Sequence, residues 1–84
     1  MFFSGSVQGI GFRNTAKLFA AQQGIKGAVR NAPDGRVEVI AEGTSQALAD
    51  FYCSLKHYFR GSIKNCEVHE SPGTGEFPGF FVEY

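Results

Sequence analysis

GSVQGIGFRNTAKLFAAQQG, residues 5–24, changes its apolar period part-way along, and that change decides how the rest of the chain is read. In MFFSGSV, residues 1–7, Phe3 and Val7 share one side of a two-residue repeat with Gly5 between them, the pattern of a strand. From Phe12 the repeat is helical: Phe12, Ala16, Phe19 and Ala20 recur at three- and four-residue steps, with Leu18 on the flank. Gly24 stands where a glycine commonly ends a helix. The stretch predicts a strand, a turn rich in glycine (Gly5, Gly9, Gly11), and a helix from Phe12 to Gln23.

Downstream, IKGAVRN (25–31) and RVEVIAEG (36–43) are strand-like and flank Pro33-Asp34-Gly35. Proline fixes φ, aspartate bonds the local backbone and glycine accepts positive φ, so this segment is a turn. Val37, Val39 and Ala41 share one face, with Glu38 and Glu42 on the other, which suits a sheet covered on one side. Thr44 or Ser45 can cap a second helix, Ser45 to Phe59. Its apolar face is expected to hold Leu48, Phe51, Tyr52, Leu55, Tyr58 and Phe59, with a stop near Gly61. Ile63 to Glu70 is expected as a fourth strand with Cys66 and Val68 inward, followed by a loop and the short closing strand FFVEY. This order, β-α-β-β-α-β with a short C-terminal strand, predicts an α+β, ferredoxin-like sandwich: an antiparallel sheet with two helices on one face.

The totals narrow the function classes. The chain's 84 residues fit one domain, 1–84, that buries about 60–65% of its unfolded surface. Nine Phe and three Tyr supply the core. Eight acids balance eight bases, so no broad field favours nucleic acid or anionic lipid, and an anion must be held by a local donor cluster. Cys53 and Cys66 lack metal-ligand spacing and are expected as core fillers, not a disulfide. MFFSGS lacks the charged start and apolar run of a signal peptide, and no segment approaches the ~18 apolar residues of a membrane helix. A soluble, cytoplasmic monomer is expected, with no membrane or nucleic-acid partner.

The glycine run suggests chemistry. Glycines between a strand and a helix let main-chain amides converge into a concave donor site, a nest that favours anions. The start of the helix adds unpaired N–H groups and the positive end of its dipole. Arg13, on the first turn, can place its planar fork of donors over the same spot. Together these features form a socket for one tetrahedral oxyanion. A simple tight turn with a solvated Arg13 fits the same spacing equally well.

GSVQGIGFR and GAVRNAPDGRVEVIAEG resemble the two signatures of the acylphosphatase family. Gly5 to Arg13 follow G-x-V-Q-G-V-x-F-R with Ile10 in place of valine. Gly27 to Gly43 follow the second signature, from a glycine through an asparagine, Asn31, to an x-x-D-G turn and an alternating V-x-V strand. Close similarity covers Gly5 to Gly43, nearly half the chain. It implies hydrolysis of acyl phosphates, with Arg13 and the amides of Gln8, Gly9, Ile10, Gly11, Phe12 and Arg13 binding phosphate and Asn31 holding the attacking water. It implies a small-molecule substrate, no metal and no cofactor. It also suggests that the chain end packs near the loop, so that the Tyr84 carboxylate pairs with Arg13 in the empty site. Ala28, where many members carry an aromatic residue, is expected to loosen packing beside Asn31, and Ser6 replaces a basic or larger polar residue.

Other residues have plainer roles. Asn31 taken singly is a strand-end residue entering a turn, and as a water-holder it requires the second strand to lie beside the first. Asp34 serves the turn, and Asn14 and Thr15 help begin the helix. The Gln8 side chain is expected to make contacts within its loop. His57 and His69 lack ligand spacing and are expected at the surface. Two rival functions remain: a non-catalytic phosphate or acyl-phosphate binding module, which would need no Asn31, and the acylphosphatase-like domain of a larger carbamoyl-transferring maturation protein. A chain stopping at Tyr84 is expected to be the free-standing enzyme.

Overall fold

Two glycines delimit the first helix. Gly11 (φ 77°) precedes it, and Gly24 (φ 69°) ends it with its amide on the Ala20 carbonyl. The next amide, of Ile25, reaches the same carbonyl at 2.9 Å, which closes the last turn and throws the chain into the sheet. A computed structural model describes residues 1–9, 11–68, 75 and 77–83. The elements are β1 (Phe2–Gly5), α1 (Phe12–Gln23), β2 (Lys26–Asn31), β3 (Val37–Glu42), α2 (Ser45–Tyr58), β4 (Ile63–Glu67) and β5 (Phe80–Glu83). Thr44 begins α2, its hydroxyl oxygen accepting the Ala47 amide at 3.1 Å. Lys56 and His57 lie in the last turn of α2, where positive charge complements the helix dipole.

The five strands form one sheet in the order β4-β1-β3-β2-β5. Pairing is antiparallel for β1 with β3 and β4 and for β2 with β3, whereas β5 runs parallel to β2. This is the expected ferredoxin-like arrangement with one parallel edge strand. It differs in one respect that matters for the site: β3 lies between β1 and β2, so the second strand is not beside the first.

One face of the sheet, with Phe3, Val29, Val37 and Val39, packs against Phe12, Ala16 and Ala20 of α1, Phe51 and Leu55 of α2, and Phe59 just beyond it. Fully burying a large apolar side chain of this kind stabilises the fold by about 1.5–3 kcal/mol. Gly27 shows how closely the strands approach. Its φ is 147°, and a Cβ there would lie 1.8 Å from the Ile40 carbonyl oxygen, so only glycine fits.

Several expectations at the margins of the core fail. Cys53 is exposed because it falls off the Leu48, Phe51, Leu55 stripe of α2, while Cys66 is half-buried against the core; both are free thiols. Tyr58 is 63% exposed, at the rim of that stripe, its ring edge-on to Phe19 and Phe59. Val68 is also exposed, because β4 ends at Glu67. Ala28 is buried between its register partners Ile40 and Phe81, and by strand alternation it faces away from Asn31. Among the described residues, no helix is long and apolar enough to cross a membrane.

Candidate active site

The loop between β1 and α1 is held at both ends by ordinary packing. At its start the Ser6 amide donates to the Ser62 carbonyl at 2.9 Å, and Val7 is buried. The position Ser6 occupies is thus fixed through its main chain. At its end the Phe12 ring is buried, 5.1 Å from the Phe3 ring and 4.7 Å from that of Phe59. An anchored Phe12 leaves the preceding main chain little freedom. Gly9 and Gly11 have φ of 78° and 77°, the left-handed region that lets successive amides converge.

The first turn of α1 adds donors. Gly11 offers no side-chain cap, and the first helical bond is from the Thr15 amide to the Gly11 carbonyl. The amides of this first turn point out of the N-terminal end of the helix, toward the loop. Val7, Gly9, Gly11, Phe12, Arg13, Asn14 and Asn31 line a partly enclosed depression of about 50 Å³. A single water needs roughly 10–15 Å³ measured in this way, so the depression has room for a small oxyanion.

Asn31 reaches this depression although β1 and β2 are not paired. β3 begins only at Val37, and the β1–β3 ladder ends at Phe3 opposite Val37. Beyond that row no strand separates the loop from the β2–β3 turn. The turn is closed by the Ala32 amide on the Arg36 carbonyl (2.7 Å) and the Gly35 amide on the Ala32 carbonyl (3.2 Å). Asp34 serves it as expected, accepting from the main-chain N–H of Arg36 at 3.1 Å and from its Nε at 2.7 Å. These two bonds, the main-chain one first, hold the Asp34 carboxyl below the usual carboxylate range.

Arg13 also lines the depression. Its Nη1 donates to the Glu83 carbonyl at 3.0 Å. The parallel pairing of β5 with β2 sets Glu83 beside Arg30, one residue before Asn31. The closing strand thus brings the guanidinium to the side of the depression that holds Asn31. The resemblance placed the chain end near Arg13, but the acceptor at Glu83 is a main-chain oxygen, which carries no residue signature. Asn14, expected only to help begin the helix, also lines the depression; its place one residue after Arg13 on the first turn was the available signal.

Gln8 departs from expectation. Its side chain bonds outside the loop, with Nε2 donating to the carbonyls of Ala32 (3.1 Å) and Arg36 (3.2 Å). Ile10, His69 and Tyr84, with the expected pairing of the Tyr84 carboxylate, lie outside the described residues. His57 is exposed on α2. Among the described residues, no three His, Cys, Asp or Glu side chains gather as a metal site would require.

The profile of the acylphosphatase family matches residues 1–82. The chain belongs to the acylphosphatase family. An acylphosphatase of Koribacter versatilis is 43% identical over 81 residues, which cover 95% of this chain and 74% of that protein. The crystal structure of the Bacillus subtilis acylphosphatase superposes with a TM-score of 0.88 at 34% identity, covering 99% of this chain and 93% of that one. HypF from T. kodakarensis contains a similar unit, with a TM-score of 0.84 and 26% identity; the match covers 99% of this chain and 11% of that one. The Gly5–Arg13 segment of this acylphosphatase-family chain thus runs from the end of β1 into the first turn of α1, and Asn31 ends β2.

Proposed function

We propose that this acylphosphatase-family chain hydrolyses acyl phosphates to a carboxylate and inorganic phosphate, acting as a single domain over residues 1–84. In this reading the amides of Gln8 to Arg13, with the Arg13 guanidinium, bind the phosphoryl group, and Asn31 holds the water. The observation that carries it is the convergence of Arg13, the left-handed Gly9 and Gly11, and Asn31 on one depression.

The chemistry asks for little more. The leaving carboxylate has a conjugate acid with a pKa of about 4, so it departs at neutral pH without a general acid. Phosphoryl transfer passes through a loose transition state in most analyses, so the water needs aim more than activation. Its oxygen bonds to phosphorus as the bond from phosphorus to the acyl oxygen breaks. The electron pair leaves with the carboxylate, and the water's protons pass to phosphate and solvent. The Asn31 carboxamide orients that water through its carbonyl oxygen or NH₂. Main-chain N–H groups and a guanidinium match the charge on the three phosphoryl oxygens. Neither a metal nor a titrating side chain is part of this sequence of events.

The balance of eight acids and eight bases supports a small substrate in preference to nucleic acid, and the two free thiols suit a reducing cytoplasm. We take the working unit to be a monomer. The Bacillus subtilis acylphosphatase, similar at 34% identity and a TM-score of 0.88, supports acyl phosphate hydrolysis over a non-catalytic binding role. The test is a steady-state assay on benzoyl phosphate beside an ordinary phosphate monoester, with and without chelator. Strong preference for the anhydride, unaffected by chelator, is expected. Equal rates on both, or a rate that collapses with chelator and returns with magnesium, would overturn the proposal.

A further inference from the structure

Gln8 does not line the depression, yet its side chain ties the loop to the β2–β3 turn. Gln8 Nε2 has two hydrogens, and both are used, on the carbonyls of Ala32 and Arg36. These are the same two carbonyls that close the β2–β3 turn by accepting the Gly35 and Ala32 amides. Ala32 directly follows Asn31, and Gly9, in the wall of the depression, directly follows Gln8. Among the described residues, no other hydrogen bond joins the loop between β1 and α1 to this turn. The sheet does not supply the link either, because β1 and β2 are not neighbours and the β1–β3 ladder stops at Phe3.

We infer that Gln8 is a positioning residue, whose side chain sets the separation between the phosphate-binding amides and the Asn31 carboxamide. The inference rests on the function proposed above. It separates two roles within one residue: in that reading the main-chain amide of Gln8 belongs to the phosphate socket, while its side chain fixes where Asn31 stands. The phosphate grip is built locally from Gly9 to Arg13 and survives loss of that side chain. Water placement does not, because it depends on a distance between the loop and the β2–β3 turn, which no other direct hydrogen bond joins among the described residues. Misplacing a reacting group by about 1 Å can cost on the order of 100-fold in rate.

Gln8→Leu removes both donors while keeping an apolar stem. With the full chain and benzoyl phosphate, it is expected to lower kcat by roughly 10- to 100-fold. The inhibition constant of inorganic phosphate should stay within about threefold, below the tenfold that 1.4 kcal/mol represents. Gln8→Lys, which returns N–H donors at similar reach, should recover most of the rate. Gln8→Leu added to Asn31→Ala should cost less than about twofold further, because the two changes remove one function. Gln8→Asn, too short to reach both carbonyls, gives the same kinetic split should Gln8→Leu fold poorly. A raised phosphate inhibition constant with kcat unchanged would make the Gln8 side chain a substrate ligand and overturn the inference. A lowered Tm with unchanged kcat would make it structural only, with the same result. A parent chain without turnover overturns the proposed function and this inference with it. An active parent whose Gln8 variants keep their kcat overturns the inference alone.

Discussion

Gly11→Ala separates the cost of holding the loop from the cost of packing it. At Gly11 φ is 77° and ψ is 15°, and a Cβ added there would meet no atom within 4 Å. The substitution therefore adds backbone strain and nothing else. Left-handed geometry costs a residue with a Cβ about 1–2 kcal/mol. That energy must appear somewhere. If the loop keeps its shape without ligand, the loss falls on folding, and Tm drops by roughly 4–8 °C per kcal/mol for a domain of this size. If the empty loop relaxes to negative φ, Tm is spared and phosphate must restore the strained shape, which weakens its binding about 5- to 30-fold. The stability loss and the affinity loss should therefore sum to about 1–2 kcal/mol. Thermal unfolding with and without phosphate, beside the phosphate inhibition constant, measures both. Gly27→Ala is the contrast: its Cβ would collide with the Ile40 carbonyl, so it should fail at the level of the fold. A Gly11→Ala chain with the parent's Tm and the parent's phosphate affinity would refute the argument that converging amides need that backbone shape.

Three further outcomes follow from the same geometry. Arg13→Ala should weaken phosphate binding and remove most turnover, by about 10²–10³ in kcat, the scale of losing one oxyanion donor; unchanged phosphate affinity in a titration would count against it. The exposed Cys53 should alkylate at least about tenfold faster than Cys66 near pH 8, because reaction needs the thiolate and burial pushes the Cys66 thiol up; peptide mass spectrometry after brief iodoacetamide treatment reads the ratio. Asp34 is held ionised in the folded chain, first by the Arg36 main-chain N–H and then by the Arg36 side chain. Its depressed pKa contributes stability that is complete above its unfolded value, about 3.9, and is lost as pH falls through the lower folded value. Amide exchange at Gly35 and Arg36 should accordingly quicken below about pH 4 in the parent, relative to exchange at core amides, and Asp34→Ala should remove that pH dependence.

Most of the fold was legible because its signals are local. Gly11 and Gly24 bound α1 at the positions their conformations require, Thr44 caps α2, and Asp34 and Gly35 mark the β2–β3 turn. The same is true of the site's parts: Arg13 and Asn31 stand out once the glycine loop and the second signature are seen together. What was hidden depends on contacts between distant segments. No local pattern shows that β3 separates β1 from β2, or that β5 runs parallel to β2 and offers the Glu83 carbonyl to Arg13. The reach of Gln8 to Ala32 and Arg36 was equally unreadable, since its acceptors are main-chain oxygens that carry no residue signature. Cys53 and Tyr58 mark a different limit. A helical period identifies a buried stripe, but the residues at its margin are decided by how far neighbouring rings extend.

The division of labour between gripping and aiming is tested most directly by Asn31→Ala, assayed for kcat on benzoyl phosphate and for inhibition by inorganic phosphate in the same preparation. A loss of kcat by two orders of magnitude or more is expected, with the phosphate inhibition constant unchanged. Turnover at the parent rate, or a rate loss matched by an equal loss of phosphate affinity, would contradict the assignment of Asn31 to the water.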